Sequence, residues 1–125
     1  MLRLLCKGEK NLNSKELALA VCRILSDKKA TDILKIDVAD KTILADYYVI
    51  ATGRSLTHVR SLAENLEEEL DKLGSSPLRR EGVREGRWAA LDYGDVIVHI
   101  FNDESRLFYH LERLWDNGEN TEKMD

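Results

Sequence analysis

A chain of 125 residues with 43% hydrophobic and 34% charged side chains is long enough for one domain with a real core and too short for two ordinary ones. No apolar run approaches the length of a bilayer span, and the weakly apolar start Met1–Lys7 is too short for a signal peptide and lacks a small-residue cleavage site, so a cytoplasmic protein is expected. A net charge of -4 argues against a broad, sequence-independent grip on nucleic acid, which depends on neutralising phosphates.

The chain opens with an arm, residues 1–13, and then a helix. Asn13 or Ser14 can cap it, and Leu17, Ala18, Val21, Ile24 and Leu25 recur at helical spacing as far as about Lys28. Cys22 falls among these apolar positions and reads as a buried thiol; with Cys6 it makes neither a metal-ligand spacing nor a disulfide scaffold. Ile33–Val38 reads as a strand with Leu34, Ile36 and Val38 on one face and Lys35 and Asp37 on the other. After a turn through Asp40-Lys41, the continuous apolar run Tyr47–Thr52 suits an interior strand.

Gly53-Arg54-Ser55 ends that run, and Ser55 caps a long helix to about Leu73 with the stripe Val59, Leu62, Ala63, Leu66, Leu70 and Leu73. Its other face is acidic. Gly74-Ser75-Ser76-Pro77 stops it, Leu78-Arg79-Arg80 fits a brief edge strand, and the charged, glycine-bounded connection Glu81–Gly86 is expected to be mobile until something docks on it. Trp88–Tyr93 and Val96–Phe101 are β-rich runs separated only by Gly94-Asp95, which predicts a hairpin. Period two puts Trp88, Ala90 and Asp92 on one face and Ala89, Leu91 and Tyr93 on the other, while the following arm, polar only at His99, reads as a central strand. Asn102 or Asp103 caps a last helix with Leu107, Phe108, Leu111, Leu114 and Trp115 at spacings of three and four; residues 116–125 are polar, acidic and aperiodic, and are expected to be disordered. The order implies an α+β, two-layer fold: one mixed β-sheet with helices mainly on one face.

Two sites compete. The strand-to-helix junction Gly53-Arg54-Ser55 offers free N–H groups to an anion, and a nucleotide-binding enzyme could combine Gly53 and Ser55 with the nearest carboxylate pair, Asp92 and Asp95. The junction lacks a Walker lysine and the three-glycine dinucleotide pattern, so a turn and a cap is the preferred reading. His58, His99 and His110 with the two cysteines assemble no recognisable zinc set, and nothing in the pattern demands a cofactor. The other candidate is a docking surface. Arg79, Arg80, Arg84 and Arg87, interrupted by Glu81 and Glu85, stand beside Trp88, Asp92 and Tyr93, a mix of aromatic anchors and charge typical of protein-binding hot spots. Taken alone, the arginine cluster is equally a solvated loop of alternating charge, and Trp88 equally a core residue.

Several stretches together resemble one family. Asp46-Tyr47-Tyr48-Val49-Ile50-Ala51-Thr52-Gly53-Arg54-Ser55, Glu81-Gly82, Trp88, the run Leu91–Phe101, Arg106, Tyr109-His110-Leu111-Glu112 and Leu114-Trp115 resemble, in order and spacing, the ribosomal silencing factor family, also called RsfS or Iojap-like. The likeness runs from about Ser14 to Trp115, leaving 1–13 as an arm and 116–125 as a tail. It implies a fold similar to nucleotidyltransferases without their metal-binding carboxylates, and a factor that is not an enzyme. Such a factor binds the large ribosomal subunit through its fourteenth protein, blocks association with the small subunit, lowers translation when nutrients are scarce, and is often a homodimer when free. Carried over by position, the partner-binding surface falls on Glu81, Trp88 and Tyr93, with Gly82, Leu91, Asp92 and Asp95 shaping it. Contact of the Arg79–Arg87 cluster with ribosomal RNA is a minor expectation. A basic ribosomal protein fits an acidic chain better than naked RNA does, with Glu81, Asp92 and Asp95 pairing to its Lys or Arg and Trp88 giving apolar contact.

Overall fold

Residues 12–103 and 120–124 are described by a computed structural model of the chain. Helix α1 is Ser14–Asp27, and it starts where Asn13 closes a capping box: the Asn13 side chain accepts from the Glu16 N–H at 2.8 Å, and the Glu16 carboxylate accepts from the Asn13 N–H at 3.0 Å. Strands β1, Thr31–Asp37, and β2, Tyr47–Gly53, follow, then helix α2, Leu56–Lys72, capped by Ser55. Three strands come next, β3 at Arg79–Glu81, β4 at Trp88–Asp92 and β5 at Val96–Asn102. A short β6, Thr121–Lys123, completes the described elements. The expected helix carrying Leu107 to Trp115 lies outside the described residues, as do residues 1–11 of the arm.

The strands form one sheet in the order β3-β4-β5-β2-β1-β6. Among the described strands only β2 and β5 run parallel, Tyr47 beside Val96 through to Gly53 beside Asn102; the other described pairings are antiparallel. The parallel pair needs a crossover, and α2 supplies it. As expected, β5 is central. Both described helices pack on one face, where Leu17, Val21 and Leu25 of α1 and Val59, Leu62, Leu66 and Leu70 of α2 meet Ile33, Val49, Ala51, Leu91, Val98 and Ile100. Leu73, expected in the α2 stripe, is past the last helical residue and exposed. Cys22 is buried among these side chains, which pushes its thiol up to about 12, so it stays protonated and unreactive. The opposite face carries a second cluster of Ile36, Val38, Tyr48, Ile50 and Phe101, against which Leu34, Ile97 and Trp88 pack.

Residues 120–124 depart from the disorder expected for 116–125, the rest of which lies outside the described residues. Composition gives them no reason to fold, yet β1 would otherwise present an unpaired edge, and β6 satisfies it. Asp37 N–H donates to the Asn120 carbonyl at 2.9 Å, the Asn120 amide returns to the Asp37 carbonyl at 2.9 Å, and Met124 N–H donates to the Ile33 carbonyl at 2.7 Å. The strand also answers a charge. Lys35 faces the helices at 5% exposure, and Glu122, beside it in the register, meets its ammonium at 2.8 Å.

Candidate docking face on the edge hairpin

Hairpin β4–β5 turns at Gly94, whose φ of 89° is costly for any residue with a Cβ. Asp92 Oδ1 accepts from the Gly94 N–H at 2.8 Å and pins the turn. The register then sets Trp88 beside Phe101, Ala90 beside His99 and Asp92 beside Ile97. Paired residues in a sheet point the same way, and β3 pairs Arg79 with Asp92 and Glu81 with Ala90. Arg79, Glu81, Trp88 and Asp92 therefore share the face away from α1 and α2.

The indole of Trp88 is held in place. Its Nε1–H donates to His99 Nδ1 at 3.0 Å, and its ring stacks on Phe101 with centroids 5.0 Å apart. His99 in turn meets the Tyr48 ring edge-on at 5.5 Å. Burial lowers the His99 pKa to about 4, so the imidazole is neutral near pH 7; Nδ1 accepts and the proton sits on Nε2. With its one donor occupied, Trp88 offers its half-buried ring as an apolar surface. Neither His99 nor Phe101 was singled out for this role from the sequence, although period two through Val96–Phe101 places both on the Trp88 face.

Glycine shapes the approach to that face. Gly82 has φ 74°, and a Cβ there would lie 2.0 Å from the Trp88 carbonyl oxygen, so only glycine lets the connection cross the strand so closely. The segment is anchored where mobility was expected: Val83 is buried, Gly86 N–H donates to the Gly82 carbonyl at 3.0 Å, and Arg60 of α2 donates to the Arg84 carbonyl at 2.9 Å.

The expected docking set is divided by strand alternation. Glu81, Trp88 and Asp92 share the outer face, Gly82 packs against the Trp88 carbonyl, and the exposed Asp95 sits at the turn, where its carbonyl accepts from the N–H groups of Asp46 and Tyr47 at 2.8 and 3.1 Å. Leu91 is 0% exposed in the helix-side core. Tyr93 is half-buried on that same side; burial raises its pKa, and its hydroxyl is buried without a hydrogen-bond partner. These two shape the hairpin from behind. Of the arginines, Arg80 turns to α2 and meets Glu67 Oε1 through Nη2 at 2.9 Å, while Arg79, Arg84 and Arg87 are exposed.

The competing junction is built differently from an anion site. Gly53 ends β2, and a Cβ there would fall 2.8 Å from Val59 Cγ2, so the glycine serves close strand–helix packing. His58 Nδ1 accepts from the Arg54 N–H at 3.0 Å, and the Ser55 hydroxyl accepts from the His58 N–H at 3.0 Å, so two donors at this helix start are already used. Asp92 pairs with Ile97 while Gly53 pairs with Asn102, which sets the carboxylates about 17 Å along the strand from the junction. Gly53, Ser55, Asp92 and Asp95 do not form one site. Among the described residues, no group of three or more His, Cys, Asp or Glu side chains is placed to hold a metal ion.

A family model described as "Ribosomal silencing factor during starvation" matches residues 11–125. The chain belongs to the ribosomal silencing factor family. The match extends to the last residue and so includes the tail expected to lie outside it. The ribosomal silencing factor RsfS of Bacillus subtilis is 36% identical over 107 residues, 86% of this chain and 91% of that one. The same-named protein of Zymomonas mobilis is 35% identical over 117 residues, 94% of this chain and 88% of its own. A crystal structure of a Chromobacterium violaceum protein superposes with a TM-score of 0.81 at 32% identity, covering 83% of this chain and 87% of that one. As a ribosomal silencing factor the chain is a ribosome-associated regulator of translation. No described helix is long and apolar enough to cross a membrane.

Proposed function

We propose that the outer face of the β3–β4–β5 edge binds the large ribosomal subunit through its fourteenth protein, and that the bound domain sterically prevents the small subunit from joining, which represses translation under nutrient limitation. The immobilised indole of Trp88, flanked by Glu81 and Asp92 on one face, carries this reading. An aromatic anchor whose rotamer is fixed before binding loses little entropy on docking, and flanking carboxylates select a basic protein surface. Arg79 and Arg87 at the rim make minor contacts with ribosomal RNA. The factor is cytoplasmic, is a homodimer when free, and makes and breaks no covalent bond.

Replacing Trp88 or Glu81 by Ala tests the face. Each variant binds isolated large subunits about tenfold or more weakly with native far-UV circular dichroism; full affinity in both removes this surface from the account. The nucleotide-binding alternative has no geometric support, and titration calorimetry with ATP, CTP and Mg²⁺ is expected to give no binding heat.

A further inference from the structure

The β1–β2 loop holds two large aliphatic side chains in water. Ile43 is 102% exposed and Leu44 69%, yet the loop around them is tied down. Lys41 and Thr42 N–H groups donate to the Val38 carbonyl at 2.9 and 3.1 Å, Leu44 N–H donates to Thr42 Oγ1 at 3.1 Å, and Ala45 is buried. Across the hairpin turn stands Leu78, 73% exposed, with Cδ1 3.6 Å from where a Gly94 Cβ would be. The Asp95 carbonyl joins the two sides by accepting from Asp46 N–H at 2.8 Å. Single exposed aliphatics are ordinary; here three lie on tied-down chain at the same end of the sheet, on either side of one turn.

We infer that Ile43, Leu44 and Leu78 form an apolar anchor patch for the basic protein that the Trp88 face meets, extending that footprint across the hairpin turn. Charge selects this occupant. Asp40 and Lys41 lie in the same loop, Asp46 N–H meets the Asp95 carbonyl, and Leu78 N–H meets the Asp92 carbonyl beside Arg79, so carboxylates outnumber cations here and favour a basic protein over nucleic acid. A second copy docked symmetrically sets those carboxylates against themselves, because a two-fold interface lays one patch on its own image. Size permits a shared footprint. Trp88 and Asp92 are four residues apart on β4, about 13 Å, whereas a standard interface covers about 800 Å² per partner and is on the order of 30 Å across.

This inference rests on the docking reading, so its test carries a separate control. Binding of the whole chain to isolated large ribosomal subunits is measured for wild type, Ile43→Ser/Leu44→Ser and Trp88→Ala, with thermal unfolding and sedimentation of each free protein. The double variant is expected to unfold at the wild-type temperature and to bind about tenfold more weakly. Full affinity in the double variant while Trp88→Ala binds weakly overturns the patch and leaves the docking reading intact. Full affinity with lost self-association overturns it in favour of a second copy. A wild type that does not bind large subunits removes both.

Discussion

At the scale of single residues, the proposed docking depends on how Trp88 is held. Its donor is satisfied by a neutral imidazole at 3.0 Å, so His99→Phe keeps the stacking volume but strands a half-buried N–H. We expect that variant to lose about 1–3 kcal/mol in urea unfolding and to bind large subunits less well. His99→Gln, which restores an acceptor, recovers part of both, and equal behaviour of the two variants contradicts a positioning role. The same histidine sets a pH dependence. Its pKa falls to about 4 in the folded chain from an ordinary value of about 6.5, so between those values the unfolded state binds more protons. Stability is therefore full above about pH 6.5 and declines toward pH 4, by up to about 3 kcal/mol; His99→Gln flattens this segment of the urea-midpoint profile. Tyr93 behaves oppositely to a docking hydroxyl. Its buried OH lacks a partner, so Tyr93→Phe should leave stability unchanged or raise it by up to about 1 kcal/mol. That Trp88 and Asp92 share a face was legible because β alternation is strict; the place of Glu81 was not, because it read as the start of a charged connection and lies instead in β3 beside Ala90. The partner of Trp88 was not legible either, since a lone histidine in an apolar strand reads equally as filler until the register places it beside the indole.

At the scale of elements, local rules gave the helices and the hairpin their positions. Asn13 and Ser55 cap where a side-chain oxygen can meet orphan N–H groups, and Gly94 turns where φ must be positive. The β6 strand was invisible because three polar residues carry no periodicity; what orders Thr121–Lys123 is an edge far away in sequence and the buried ammonium of Lys35. That asymmetry is testable. Glu122→Ala leaves Lys35 inside without its counter-charge, whereas Lys35→Met removes the charge with it, so the first is expected to lower the thermal midpoint more than the second. The reverse order would mean that the Lys35 side chain, through contacts such as that over the Tyr47 ring, stabilises more than its unpaired charge costs. The connection Glu81–Gly86 escaped for a related reason: its charges suggest solvent, and only the fold reveals Val83 in the core and Gly86 packed on Leu56, where a Cβ would lie 2.4 Å from the carbonyl oxygen. Gly86→Ala should therefore destabilise by more than about 1 kcal/mol, read from the denaturation midpoint.

For the molecule as a whole, topology bears on the alternative that the sequence reading ranked second, a nucleotide site built from Gly53, Ser55, Asp92 and Asp95. A parallel β2–β5 pair places the Gly53–Ser55 junction and the Asp92–Asp95 turn at opposite ends of the sheet, which separates the parts an enzyme would need, while the edge hairpin collects an aromatic, two acids and a rigid backbone on one face. Family membership makes the chain a ribosome-associated regulator; obstruction through that face is the physical mechanism proposed for it. The most direct measurement mixes separated large and small subunits with increasing amounts of the protein and follows joined ribosomes by sedimentation. The joined peak should fall as the protein accumulates on the large subunit alone, and Trp88→Ala should leave it standing. Free pairing of the subunits at saturating protein, or equal loading on both, would contradict the account.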